Sequence, residues 1–239
     1  MTQNTGKGTL YGVGVGPGDP ELITLKALRV IREAPVLAWP APLEGESLAR
    51  SIAAPHLDGS HIEVPIRMPM EVARFPAQQV YDEAAIEIAD HLSNGRDVAV
   101  LCEGDPFFYG SFMYLFGRLA DDFPVEVIPG VSSLMATAAA VGAPLASRND
   151  VLTVLPGPLD EDILERRLDR AEAAAIIKVG RHLGKIRRVL DRMDLTENAR
   201  YISHATMDKQ RVSPLSEITE EKAPYFTMIL VHKRGEAWK

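Results

Sequence analysis

Gly12-Val13-Gly14-Val15-Gly16-Pro17-Gly18-Asp19-Pro20 closes the apolar run that begins at Leu10, where a dinucleotide-binding turn would stand. It is not such a turn. A G-x-G-x-x-G frame begun at Gly12 meets Pro17 where it needs glycine, and one begun at Gly14 meets Asp19. Asp19 and Pro20 read as the N-cap and first position of the next helix, so its anion-binding end already carries a carboxylate. A diphosphate there would meet like charge. The second strand ends in Trp39-Pro40 and offers no acidic ribose ligand, which argues against a nicotinamide-dependent oxidoreductase.

Working outward, strands alternate with helices in the manner of α/β layers. Strands are predicted over 10–15, 36–39, 97–102, 125–128, 151–155, 174–179, 200–203 and 226–232. Helices are predicted over 22–33, 84–93, 111–119, 134–141, 160–170 and 183–193. Pro65-Ile66-Arg67-Met68-Pro69-Met70 reads as an extended, proline-stiffened loop. Pro144 to Asp150 breaks the alternation, which places a boundary near 143–150 and predicts two domains, 1–143 and 144–239.

The chain has 239 residues, 46% of them hydrophobic, enough for two real cores. A net charge of −7 argues against a nucleic-acid binder. The single Cys102 cannot form an intramolecular disulfide, and Met1-Thr2-Gln3-Asn4-Thr5-Gly6-Lys7 has no apolar signal core, so a cytoplasmic protein is expected. No apolar run approaches the roughly 20 residues of a membrane span. His56 and His61 lack a companion cluster and a helical register, so no metal site is expected.

Three predicted strand ends carry glycine and small polar residues: Gly16-Pro17-Gly18-Asp19-Pro20, Glu103-Gly104-Asp105-Pro106 and Pro129-Gly130-Val131-Ser132-Ser133. Ligands of parallel sheets bind beyond the carboxyl ends of the strands, and glycine lets backbone approach them, so these turns are expected to line one crevice. Asp105 admits two readings: a carboxylate facing a cationic ligand, or a cap on the turn before Pro106.

With these turns in this order, and with Glu103 to Gly110 reading EGDPFFYG, the chain resembles the class III, S-adenosylmethionine-dependent tetrapyrrole methyltransferases from Gly8 to about Val231. The resemblance implies a two-domain tetrapyrrole methylase fold, each domain a mixed, mostly parallel sheet flanked by helices, with the cofactor between the domains. It implies S-adenosyl-L-methionine as cofactor, S-adenosyl-L-homocysteine as product, no metal, and a homodimer. The cofactor residues it maps are Pro17, Gly104, Asp105, Phe108, Ser132, Ser133, Val179, Ala205, Thr227 and Met228. Leu10 to Gly14 and Phe107 to Phe116 are most similar to members that methylate precorrin-2 at C-20 in cobalamin biosynthesis. A cobalt-loaded substrate, another ring position, and a non-catalytic tetrapyrrole carrier are the alternatives.

Such a substrate carries many carboxylates, so this acidic chain must gather cations locally. Arg67, Arg148, Lys178 and Arg181 lie in or beside the relevant loops, and Tyr109 among the aromatics that suit a macrocycle. Phe112 and Phe116 are expected in the core. No nucleophile is needed for methyl transfer from a sulfonium, and no catalytic residue is assigned. Glu103, Tyr109 and His204 are unranked candidates for a base.

Overall fold

The computed structural model describes residues 6–68 and 74–234, which form two compact units divided between Ser132 and Ser133. The division falls about ten residues before the expected 143/144, because α5 (Ser133–Val141) packs on strands β8 (Ala199–Ser203) and β10 (Thr227–His232) of the second unit.

The first unit is a five-stranded, wholly parallel sheet of β1 (Leu10–Gly14), β2 (Val36–Pro42), β3 (Ile62–Met68), β4 (Val98–Cys102) and β5 (Val125–Ile128), in the order β3-β2-β4-β1-β5. Side chains alternate between two cores. Val98, Val100 and Cys102 of β4 face α3 (Arg74–Ser93) and α4 (Phe112–Leu119), while Ala99 and Leu101 face α1 (Leu25–Glu33) and α2 (Leu48–Ala53).

The residues expected in a loop at 65–68 are in β3; Pro69 and Met70 lie outside the described residues. Pro65 is tolerated there because β3 is the sheet edge. The helix expected over 22–33 is two elements. Asp19 caps a 3-10 turn, Pro20–Leu22, accepting the Glu21 amide at 2.8 Å, and Thr24 caps α1 separately through the Ala27 amide at 3.2 Å.

The second unit holds β6 (Leu152–Pro156), β7 (Ala173–Ile177), β8, β9 (Arg211–Pro214) and β10, in the order β6-β7-β10-β8-β9. Only β6 and β7 pair in parallel, so the expected mostly parallel sheet is corrected for this unit. Helices α6 (Glu161–Asp169) and α7 (Leu183–Arg192) carry β6, β7 and β8 in one direction. No α-helix separates β8, β9 and β10; β9 turns back antiparallel along one side of β8, and β10 lies antiparallel on its other side. Among the described residues no helix is long and apolar enough to cross a membrane.

Candidate functional site

In the first unit the chain leaves β1 for β2 on one side and β4 for β5 on the other, so the strand order reverses between β1 and β4. The carboxyl end of such a reversal is where parallel sheets hold ligands. Two of the glycine turns meet there. The Gly104 amide donates to the Gly16 carbonyl at 2.7 Å, and the return bond is 3.4 Å. Both glycines adopt positive φ, 81° at Gly16 and 66° at Gly104.

The third turn closes on the first two. A Cβ on Gly130 would lie 2.0 Å from the Gly104 carbonyl oxygen, and one on Gly14 would lie 2.6 Å from the same atom. This corrects the reason expected for these glycines: at Gly14 and Gly130 the missing side chain makes room for neighbouring backbone. Asp105 completes the junction. Its Oδ1 accepts the Phe107 and Phe108 amides at 2.9 and 3.0 Å, and its Oδ2 accepts the Gly130 amide at 3.1 Å. The carboxylate displays the capping geometry and also ties the second turn to the third.

Pro17 is buried beside this junction, Ser132 is half-buried and Ser133 exposed. Phe108 is half-buried, its ring edge-on to Tyr109 at 5.2 Å. Phe112 is core, filling the space above Gly12, but Phe116 is 37% exposed, against expectation. Phe116 meets the exposed Phe107 ring edge-on at 5.3 Å. Arg67 is exposed on β3 and donates to the Pro42 and Leu43 carbonyls at 3.2 and 3.3 Å.

Glu103 stands between the strand and the turn. Burial pushes the pKa of its carboxyl group up from the ordinary carboxylate value, against the opposing influence of its own backbone amide and that of Ala49 in the first turn of α2. Burial likewise raises the Tyr81 phenol and the Cys102 thiol, so Cys102 is an inert core residue. His56 and His61 point a ring nitrogen at the Pro20 and Ile31 carbonyls, at 3.4 and 3.0 Å.

The second unit presents its own candidates. Val179 and Met228 are buried, Lys178 and Arg181 exposed, and Ala205 half-buried. Thr227 is 5% exposed and its hydroxyl has no hydrogen-bond partner among the described residues, a deficit that typically costs about 1–3 kcal/mol until a ligand supplies one. Among the described residues, six that are not glycine adopt positive φ. Tyr109 (57°), Arg148 (49°) and Lys178 (56°) are three of the five expected substrate residues, and His204 (50°) and Thr206 (67°) bracket Ala205. Such strain, of order 1–3 kcal/mol per residue, persists where surrounding structure fixes it and collects at functional sites. Nothing in the sequence announced these conformations.

Residues 9–219 match the family model for tetrapyrrole (corrin/porphyrin) methylases. The chain belongs to the tetrapyrrole methylase family. It is 42% identical to a precorrin-2 C(20)-methyltransferase from a Sinorhizobium species, over 95% of this chain and 96% of that one. It is also 42% identical to the cobalamin biosynthesis protein CobIJ from Mycobacterium bovis, over 94% of this chain, and there it spans only 46% of the longer relative. Among solved structures, the uroporphyrin-III C-methyltransferase of Thermus thermophilus, complexed with S-adenosyl homocysteine, superimposes with a TM-score of 0.69 at 25% identity, covering 95% and 92% of the two chains. The tetrapyrrole methylase fold expected from the three turns is therefore the fold of this protein. The S-adenosyl homocysteine bound by that neighbour accords with the expected S-adenosylmethionine; the first unit has the glycine junction at its strand-order reversal, and the second unit has a Thr227 hydroxyl without a partner among the described residues.

Proposed function

We propose that the protein transfers a methyl group from S-adenosyl-L-methionine to C-20 of precorrin-2, giving precorrin-3A in cobalamin biosynthesis. The observation that carries this reading is the end-to-end likeness, at 42% identity, to a precorrin-2 C(20)-methyltransferase. When bound, the cofactor supplies an electrophilic methyl on a sulfonium. The residues proposed to hold it are Pro17, Gly104, Asp105, Phe108 and Ser132 with Ser133 from the three turns, and Val179, Ala205, Thr227 and Met228 from the second unit. Asp105 acts by fixing the Phe107, Phe108 and Gly130 amides, and Thr227 by offering its unsatisfied hydroxyl.

Displacement at a sulfonium disperses charge, so the protein's work is to align the two reactants and exclude water. Arg67, Arg148, Lys178 and Arg181 are the proposed partners of the substrate carboxylates, and Tyr109 packs against the macrocycle. The strained backbone at Tyr109, Arg148 and Lys178 supports those roles. We propose further that the enzyme needs no metal of its own and works as a cytoplasmic homodimer.

The test is an anaerobic assay with S-adenosylmethionine and both metal-free and cobalt-loaded precorrin-2, read by mass spectrometry and NMR. One methyl gained at C-20 of the metal-free compound establishes the reading. Preference for the cobalt compound, a methyl elsewhere on the ring, or cofactor binding without turnover would replace it.

A further inference from the structure

Resting on the methyl-transfer reading above, we propose that Phe107, backed by Phe116, is a shelf on which an apolar face of the tetrapyrrole substrate rests, and that it sets the affinity for that substrate. Helix α4 reads Phe112-Met113-Tyr114-Leu115-Phe116-Gly117-Arg118-Leu119 and presents Met113, Tyr114, Phe116 and Gly117 to solvent. A surface helix ordinarily turns charge outward. The one charged side chain of α4, Arg118, is drawn aside by Asp82 at 2.6 Å and by the Tyr114 carbonyl at 2.8 Å, which leaves the outer face apolar. Met113 and Phe116, one turn apart, are 43% and 37% exposed. Phe107 extends the patch: it is 48% exposed, and its ring lies 6.0 Å from the buried Phe112 and edge-on to Phe116 at 5.3 Å. Exposed apolar side chains gathered in this way mark ligand grooves or interaction surfaces.

Hydrogen bonds hold this shelf at the strand-end junction. The Phe107 amide donates to Asp105 Oδ1 at 2.9 Å and the Phe108 amide to the same oxygen at 3.0 Å, while the Gly130 amide donates to Oδ2 at 3.1 Å. Phe107 therefore stands on the braced turn that carries the proposed cofactor residues Gly104, Asp105 and Phe108, and a fixed backbone holds its ring half in solvent.

Charge as well as apolar area identifies the occupant. Ile62 of β3 and Val98 of β4 share the partner Val36 on β2, so Arg67 and Glu103, each five residues further on, stand at one level of the sheet. The two strands are two spacings apart, about 10 Å. The exposed Arg67, its Nη1 held by the Pro42 and Leu43 carbonyls, and the aromatic shelf after β4 thus belong to the same carboxyl edge of one sheet. A second copy of the chain would cover the apolar side chains but makes no use of a cation there. A conjugated macrocycle with apolar faces and a rim of carboxylates uses both.

The experiment compares the wild-type protein with F107A, F107W and F116A in anaerobic methylation of precorrin-2, with precorrin-2 binding measured by calorimetry in the presence of S-adenosylhomocysteine. F107A is expected to raise KM and the Kd for precorrin-2 about 3–10-fold, as for one lost aromatic contact, with S-adenosylmethionine affinity and melting temperature kept. F107W is expected to hold the wild-type KM. F116A is expected to lose in the same direction by less, and it decides the matter if F107A fails to fold. Wild-type KM and Kd in F107A overturn the proposal, as does an equal loss in F107W. A change in sedimentation that accompanies the loss in F107A assigns the patch to a second copy of the chain and overturns it too. Wild-type protein that methylates no precorrin-2 overturns the functional reading and this inference with it, whereas wild-type turnover indifferent to Phe107 overturns this inference alone.

Discussion

Asp105 and Gly130, 25 residues apart, are joined by a 3.1 Å hydrogen bond from the Gly130 amide to Oδ2, while the other carboxylate oxygen holds two amides of its own turn. One side chain therefore sets the geometry of two strand-end turns. Asp105→Asn keeps one oxygen but turns an NH2 group toward an amide donor. We expect it to cost about 1–3 kcal/mol in stability and to weaken cofactor binding, read by thermal melting and calorimetry.

Two glycines should answer oppositely to alanine. Gly130→Ala places a Cβ 2.0 Å from the Gly104 carbonyl, a clash of rigid backbone, and should cost about 1–3 kcal/mol or more. Gly117 lies inside α4 with nothing within 4 Å of a new Cβ, so Gly117→Ala should stabilise by about 0.5–1 kcal/mol. Denaturant melts of the pair provide the check, and equal effects would refute the packing argument.

Thr227→Val removes a buried hydroxyl that has no partner among the described residues. The ligand-free protein should melt at the same temperature or higher. Affinity for S-adenosylmethionine should fall about 5–10-fold, as expected for one hydrogen bond of about 1 kcal/mol. Calorimetry and melting separate the two effects, and a variant unchanged in affinity would remove Thr227 from the cofactor shell.

Glu103 also predicts a stability profile. Its pKa is higher in the folded than in the unfolded protein, so the folded state binds more protons over that interval and stability falls as pH rises through it. Glu103→Gln should therefore gain on wild type above the folded-state pKa, and the gain should vanish below the unfolded value. Paired melting curves across pH read the difference directly.

Much was legible in the chain. Alternating strands and helices marked α/β layers, because apolar period and length are local properties, and the three glycine turns in order carried the family. Two strands escaped for identifiable reasons. Pro65 and Pro69 gave β3 the composition of a loop, and only its position at the sheet edge makes Pro65 acceptable. Arg211–Pro214 has no apolar alternation and is a strand because β8 pairs with it.

By itself the sequence determined the α/β class, the turns, and which residues stand at strand ends, since each follows from backbone preference and side-chain size over a few positions. Tertiary structure decided what those residues do. That Gly14, Gly104 and Gly130 pack on one another, that Asp105 braces rather than waits free, and that Glu103 is desolvated are facts about groups far apart in the chain. Hydrogen-bond partners and burial are set by segments brought together in space, and no local pattern encodes them.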